Sequence, residues 1–85
     1  MKDFIRLAQE SVSDQYNERY SDDMSISPEE IFVVWSCKTL QNKKAILSSS
    51  IKGFPLYEFT WNGDKNEGYL DCYKKIDNKV ITVNN

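Results

Sequence analysis

The side chains in this chain that can do chemistry are two cysteines, a run of three serines, a few carboxylates near turns and a scatter of lysines. Cys37 and Cys72 stand at a spacing that suits neither a metal cluster nor a redox pair. Each lies inside an apolar pattern, which predicts a reduced, buried thiol acting as a small hydrophobe, with strand burial raising the pKa of Cys37. Ser48-Ser49-Ser50 falls within a predicted strand and has no base to activate a hydroxyl. The chain contains no histidine, so the usual general base and metal ligand near neutral pH is missing. Its three glycines are dispersed through turns, which excludes a phosphate-cradling loop. Asp64 and Glu67 read as helix-start residues rather than as a catalytic pair. This inventory predicts a protein that is not an enzyme and uses no cofactor or metal.

What remains is binding chemistry. Residues 1–30 carry eight acids against three bases, and residues 31–85 carry eight lysines against five acids. Glu10, Asp14 and Glu18 recur at i,i+4 on one helix face, followed by Asp22 and Asp23. Like charges at that spacing cost a few tenths of a kcal/mol per pair, so the ridge is a candidate partner surface. Two polar turns are the other candidates: one with Lys38, Gln41, Asn42 and Lys43, the other with Asn62, Asp64 and Lys65. Two classes of partner follow, a protein or, as the alternative, a nucleic acid. Lys38, Lys43, Lys44, Lys65, Lys74 and Lys75 would have to converge to hold phosphates. The net charge of −2 disfavours that alternative.

The elements that position these residues follow from periodicity. Residues 3–20 read as an amphipathic helix, with Phe4, Ala8, Val12, Tyr16 and Tyr20 in a stripe and Asp3 at the N-cap. Ser27-Pro28-Glu29-Glu30 is a capping-box start with room for one turn only. Ile31–Lys38 is the first strand, apolar on both faces at its start and therefore expected in the centre of a sheet. Its Ile31, Val33, Trp35 and Cys37 share one face. Thr39–Lys43 turn the chain, and Lys44–Ile51 return it with Ala45, Leu47, Ser49 and Ile51 inward. Trp35, Val33, Leu47 and Ala45 are expected to form the floor under the helix. Lys52–Pro55 lead to a third strand, Leu56–Trp61. After the Asn62-Gly63-Asp64 turn, residues 67–76 are open between strand and helix: as a strand Lys74 and Lys75 interrupt both faces, and the second helix is preferred since Tyr69, Leu70, Tyr73 and Ile76 fall on one side. Val80–Val83 is a short last strand. The expected fold is α+β in the order α-β-β-β-α-β: an N-terminal amphipathic helix packed on a three- to four-stranded antiparallel sheet, with a second helix near the C-terminus. The first five elements match the order of double-stranded-RNA-binding domains, which is the analogy behind the nucleic-acid alternative.

Eighty-five residues make one domain, 1–85, with a small core. No apolar run approaches the ~20 residues that span a bilayer, so no membrane partner is expected. Charges throughout the N-terminal sequence predict a chain without a signal peptide, in a reducing cytoplasm.

Several stretches resemble a family of small proteins of unknown function from bacteriophages and prophages of Gram-positive bacteria. They are Val33-Val34-Trp35-Ser36-Cys37-Lys38-Thr39-Leu40-Gln41-Asn42 with Lys44-Ala45-Ile46-Leu47-Ser48, then Tyr57-Glu58-Phe59-Thr60-Trp61-Asn62-Gly63-Asp64-Lys65, and Tyr69-Leu70-Asp71-Cys72-Tyr73-Lys74-Lys75. A helix beginning Phe4-Ile5-Arg6-Leu7 is similar as well. The family pattern more usually has alanine in place of Cys72, which implies no thiol role there. The resemblance implies a phage or prophage origin and the cytoplasm of a bacterial host; small phage proteins often act by engaging another protein, so a host or phage protein is the expected partner. It implies no reaction or cofactor.

Overall fold

A computed structural model describes residues 3–20, 25–74 and 77–84. Helix α1 runs Phe4–Tyr20, a single 3-10 turn spans Pro28–Glu30, and four strands follow: β1 Ile31–Thr39, β2 Asn42–Ser49, β3 Leu56–Asn62 and β4 Glu67–Tyr73. The strands form one antiparallel meander in the order β1-β2-β3-β4.

α1 starts where the sequence places its cap. The Asp3 carboxylate accepts the Arg6 amide at 3.3 Å, one of those a helix start leaves open, and the Asp3 carbonyl accepts Leu7 at 2.9 Å as the first bond of the helix. Ala8 and Val12 are fully buried, as the stripe predicts. Phe4 lies 5.7 Å from the Phe59 ring, and Tyr16 stacks on Phe54 at 4.5 Å, with Phe54 in turn 5.7 Å from Tyr57. Rings therefore fasten the helix at both ends of the sheet. At the one-turn helix the Glu30 carboxylate accepts the Ser27 amide at 2.8 Å. Arg6 joins α1 to this turn through Glu29 at 2.6 Å, and the hydrogen bond from Arg6, with that from Ser27 behind it, holds the Glu29 carboxyl below its ordinary pKa. The Asn17 amide clamps Ile26 by both backbone groups, at 2.8 and 2.9 Å, and so closes the connection from α1 to β1.

The core is one layer: Ala8, Val12, Ile26, Ile31, Ala45, Leu47, Tyr57 and Phe59. Leu47, Ala45, Tyr57 and Phe59 face α1 as alternation predicts. β1 departs from expectation in two ways. It is an edge strand rather than a central one. Its register also shifts, because Val33 pairs with Leu47 but Trp35 pairs with Ile46. Val34 is thus an extra residue, a bulge that reverses the facing of everything after it. Ile31 and Val33 face the helix with Ser49 and Leu47. Trp35 and Cys37 share the opposite face with Ile46 and Lys44. Trp35 is 49% exposed and is not the floor under α1, and Cys37 is an exposed thiol rather than a buried one.

Residues 67–73 are a strand and not a second helix. Leu70 and Cys72 pair with Phe59 and Tyr57, so the segment covers the edge of β3 that β2 leaves open. Gly68 explains the choice. A β-carbon there would stand 2.7 Å from the Phe59 ring and 3.2 Å from Trp61, so the glycine lets the two rings cross the strand. Among the described residues there is no second helix, and so no double-stranded-RNA-binding element order. Val80–Val83 has no regular structure where a last strand was expected.

Tyr57 is fully buried, and its hydroxyl finds no hydrogen-bond partner among the described residues. Burial first, then the neighbouring Cys72 thiol, raises its pKa well above the tyrosine value of 10.0. The folded state therefore keeps this proton to higher pH than the unfolded chain. The stability attached to it is complete below pH 10 and is lost as pH rises above that value. Tyr57→Phe should leave stability at pH 7 unchanged or raise it by about 1 kcal/mol, and should remove part of the alkaline loss in a pH series of thermal melts. Leu47→Ala should cost about 3 kcal/mol or more against about 1 kcal/mol for the half-exposed Trp35→Ala, a contrast measurable by denaturant titration.

Candidate functional site

α1 covers one face of the sheet. Among the described residues nothing covers the other, and the register lays out its composition. Across β1 to β4, Trp35–Ile46–Glu58–Asp71 form one row and Cys37–Lys44–Thr60–Tyr69 the next. Phe32 pairs with Ser48, and Leu56 with Tyr73, towards the end of the sheet where β1 begins. The β1 side of this open face is apolar: Phe32, Val34 and Trp35 are each about half exposed beside Ile46.

The β4 side is tyrosine and carboxylate. Glu58 sits directly opposite Asp71, a like-charge cross-strand pair that works against the sheet. Lys44 offsets part of it with an ion pair to Glu58 at 3.5 Å. The Tyr73 hydroxyl donates to Glu58 at 3.3 Å, and the Tyr69 hydroxyl donates to Glu67. The charge of Glu58, ahead of burial and Asp71, raises the Tyr73 pKa; the hydrogen bond to Glu67 does the same for Tyr69. Three carboxylates thus face one ammonium. The face suits an apolar group flanked by Lys or Arg and disfavours phosphate.

The two polar turns predicted as binding elements lie at the same end of the sheet, joined to each other. The Gln41 amide donates to Asp64, and the Gly63 amide donates to Asn42 at 3.2 Å. Asn62 accepts the Asp64 and Lys65 amides at 3.0 and 3.2 Å, an Asx turn. Asp64 and Glu67 therefore belong to this turn and to β4, not to a helix start. The β1–β2 connection is tighter than the predicted Thr39–Lys43 turn, with Leu40 and Gln41 between the strands. Leu40 takes a positive φ of 56° with its side chain 82% exposed, a conformation a leucine rarely adopts.

The lysines disperse. Lys38 and Lys43 are cross-strand partners on the helix side, where Lys43 lies 5.6 Å from the Phe4 ring. Lys44 is on the open face, and Lys65 is at the turn. Lys74 is 4.6 Å from Tyr20, at the far end of α1. Lys75 lies outside the described residues, as do Asp22 and Asp23. In the acidic ridge, Asp14 and Glu18 are exposed, whereas Glu10 accepts a hydrogen bond from Arg6 at 3.1 Å. The ridge is thus partly tied into the Arg6–Glu29 contact. Among the described residues no group of three or more Cys, Asp or Glu side chains is arranged to hold a metal ion. Among the described residues no helix is long and apolar enough to cross a membrane.

The pattern of one protein family matches residues 5–83, almost the whole chain. The chain belongs to DUF6275, a family of unknown function. No curated protein and no solved structure matches it. The family match takes in α1, all four strands and both joined turns, so the open face lies wholly within the family's domain.

The residues that sequence reasoning missed are those of the open face: Phe32, Val34, Trp35, Glu58, Asp71, Tyr69 and Tyr73. The usable signal was the apolar run Ile31–Trp35, too apolar for an edge strand with one wet face. The joined turns make their own prediction. A β-carbon at Gly63 would lie 2.2 Å from the Gln41 carbonyl. Gly63→Ala should therefore part the two turns and cost about 1–3 kcal/mol, with faster amide exchange confined to residues 39–43 and 62–66.

Proposed function

We propose that this protein is a non-catalytic protein-binding module that docks its partner on the open face of the sheet. The observation that carries this is the unburied group Phe32, Val34, Trp35, Leu56, Tyr69 and Tyr73, between 42% and 55% exposed on one face. A surface of aromatic anchors with flanking charge is what protein interfaces use for their binding energy. The acid pair Glu58–Asp71 specifies the partner further. A Lys or Arg brought between these carboxylates would relieve their repulsion, which adds specificity at a site that is costly when empty. The setting we propose is that of a phage- or prophage-derived accessory protein acting on a host or phage protein in the host cytoplasm.

Nucleic acid is the weaker reading, because three carboxylates flank the aromatic rings that would have to stack bases. The two readings separate in one series. Trp35→Ala with Tyr73→Ala should keep the sheet's circular dichroism and weaken a stoichiometric protein partner roughly a thousandfold, as expected for two anchors of about 2 kcal/mol each. Asp14→Lys with Glu18→Lys should leave that affinity unchanged. Retention of single-stranded DNA or RNA at low salt, lost with the same aromatic pair, would replace the protein reading by the nucleic-acid one.

A further inference from the structure

The open face of the sheet has a shape as well as a composition. β1 raises Phe32 and Trp35 along one side of it and β4 raises Tyr69 and Tyr73 along the other, all four between 45% and 52% exposed. Between them β2 contributes the smaller, half-buried Ser48 and Ile46. The rings thus wall a trough floored by the two central strands. β1 and β4 are three strand spacings apart, about 14 Å. An α-helix with its side chains is about 10–12 Å across, so the trough has the width of one helix.

Backbone chemistry points the same way. An extended segment gains its hydrogen bonds at a sheet edge, not on a face. A helix satisfies its own backbone and needs only an apolar surface to lie on. The same sheet already takes a helix on its other side, where Ala8 and Val12 of α1 pack with Ala45 and Leu47. A second helix would complete the three-layer arrangement in which both faces of a sheet are covered.

Charge then selects among helices. Along β4 acids alternate with tyrosines as Glu67, Tyr69, Asp71 and Tyr73, and Glu58 stands opposite Asp71. Lys44 meets Glu58 at 3.5 Å, whereas Asp71 has no cation within ion-pair distance among the described residues. A helix with Lys or Arg on its β4 flank supplies the missing cation, and one with an acidic flank meets like charge.

We propose that the partner element is an amphipathic α-helix with a basic flank, its apolar stripe seated between Phe32, Trp35 and Tyr73 and its cations over Glu58 and Asp71. This rests on the docking reading above and names the occupant of that face.

The test uses two synthetic helical peptides of about 18 residues that share one leucine stripe and differ only in their flanking residues, lysine in one and glutamate in the other. The lysine peptide should bind at least about tenfold more tightly, the equivalent of two exposed ion pairs, with amide shifts at Trp35, Ile46 and Asp71. Glu58→Gln with Asp71→Asn should remove that preference. Should this variant fail to fold, the native protein gives the same contrast: raising salt from about 0.05 to about 0.5 M should close the gap between the peptides. Binding of neither peptide, equal binding of both, shifts confined to α1, or a preference indifferent to both the neutral pair and salt overturns the proposal. A two-chain mass in light scattering, reduced to one chain by Trp35→Ala, means that a second copy occupies the face, and overturns it as well. Trp35→Ala with Tyr73→Ala separates this inference from the reading it rests on. If that pair abolishes binding of both peptides while the acid pair has no effect, the open face docks partners and the basic helix is wrong.

Discussion

Between Val33 and Trp35 the first strand carries one residue more than its partner can match, and both faces of the sheet depend on that mismatch. Side chains alternate with a period of two, so a single inserted residue exchanges inside for outside along the rest of the strand. Upstream of Val34 the strand serves the core, through Ile31 and Val33. Downstream it gives Trp35 and Cys37 to the open face. An unbulged strand would have turned the indole against α1, where Ala45 and Leu47 already meet Ala8 and Val12. The helix would then have had to ride further out, and the uncovered face would have lost its largest ring.

The core left by this arrangement is small. One helix, a one-turn helix and a loop cover one side of a four-stranded sheet, so stability rests on eight buried apolar side chains and on the ring contacts that flank them. Specific polar ties supplement it: Asn17 on Ile26, Gln9 on the Ile31 carbonyl at 2.8 Å, and Arg6 on Glu29. The first two satisfy backbone groups where α1 meets the start of β1, groups that would be expensive to leave unpaired. Against this economy, the Glu58–Asp71 opposition and the orphaned Tyr57 hydroxyl are local costs. Tyr57 belongs to the core. The acid pair belongs to the uncovered face, where a departure from sheet-stabilising chemistry is informative about binding.

Much of the fold was legible in the residues. The four-residue recurrence from Phe4 to Tyr20, the Asp3 cap, the Ser27–Glu30 box and the alternation in Ala45–Ser49 and Tyr57–Trp61 each act over a few residues, and each forms as read. Residues 67–73 were not legible in the same way. Taken with Lys74, Lys75 and Ile76 they alternate poorly, so the helical pattern wins locally. Ending the strand at Tyr73 restores the alternation, with Leu70 and Cys72 on one face and Tyr69, Asp71 and Tyr73 on the other. What decides the strand is the second edge of β3, which β2 leaves open, and the space that Phe59 takes at Gly68. The same correction brings the two polar turns together, because in a meander the first and third connections share an end of the sheet. Read with a helix there, the sequence gives no reason for Gln41 to meet Asp64.

By itself, then, the sequence determined the N-terminal helix and its stripe, the one-turn helix, the alternation of β2 and β3, and both polar turns. Periodicity and capping are short-range, and side-chain chemistry is readable from composition. Only the tertiary structure decided which strand lies at the edge, where the extra residue of β1 falls, and therefore which aromatic side chains face solvent. A bulge is defined by the strand opposite it, and an edge by the absence of a neighbour. Neither is a property of the residues that carry it.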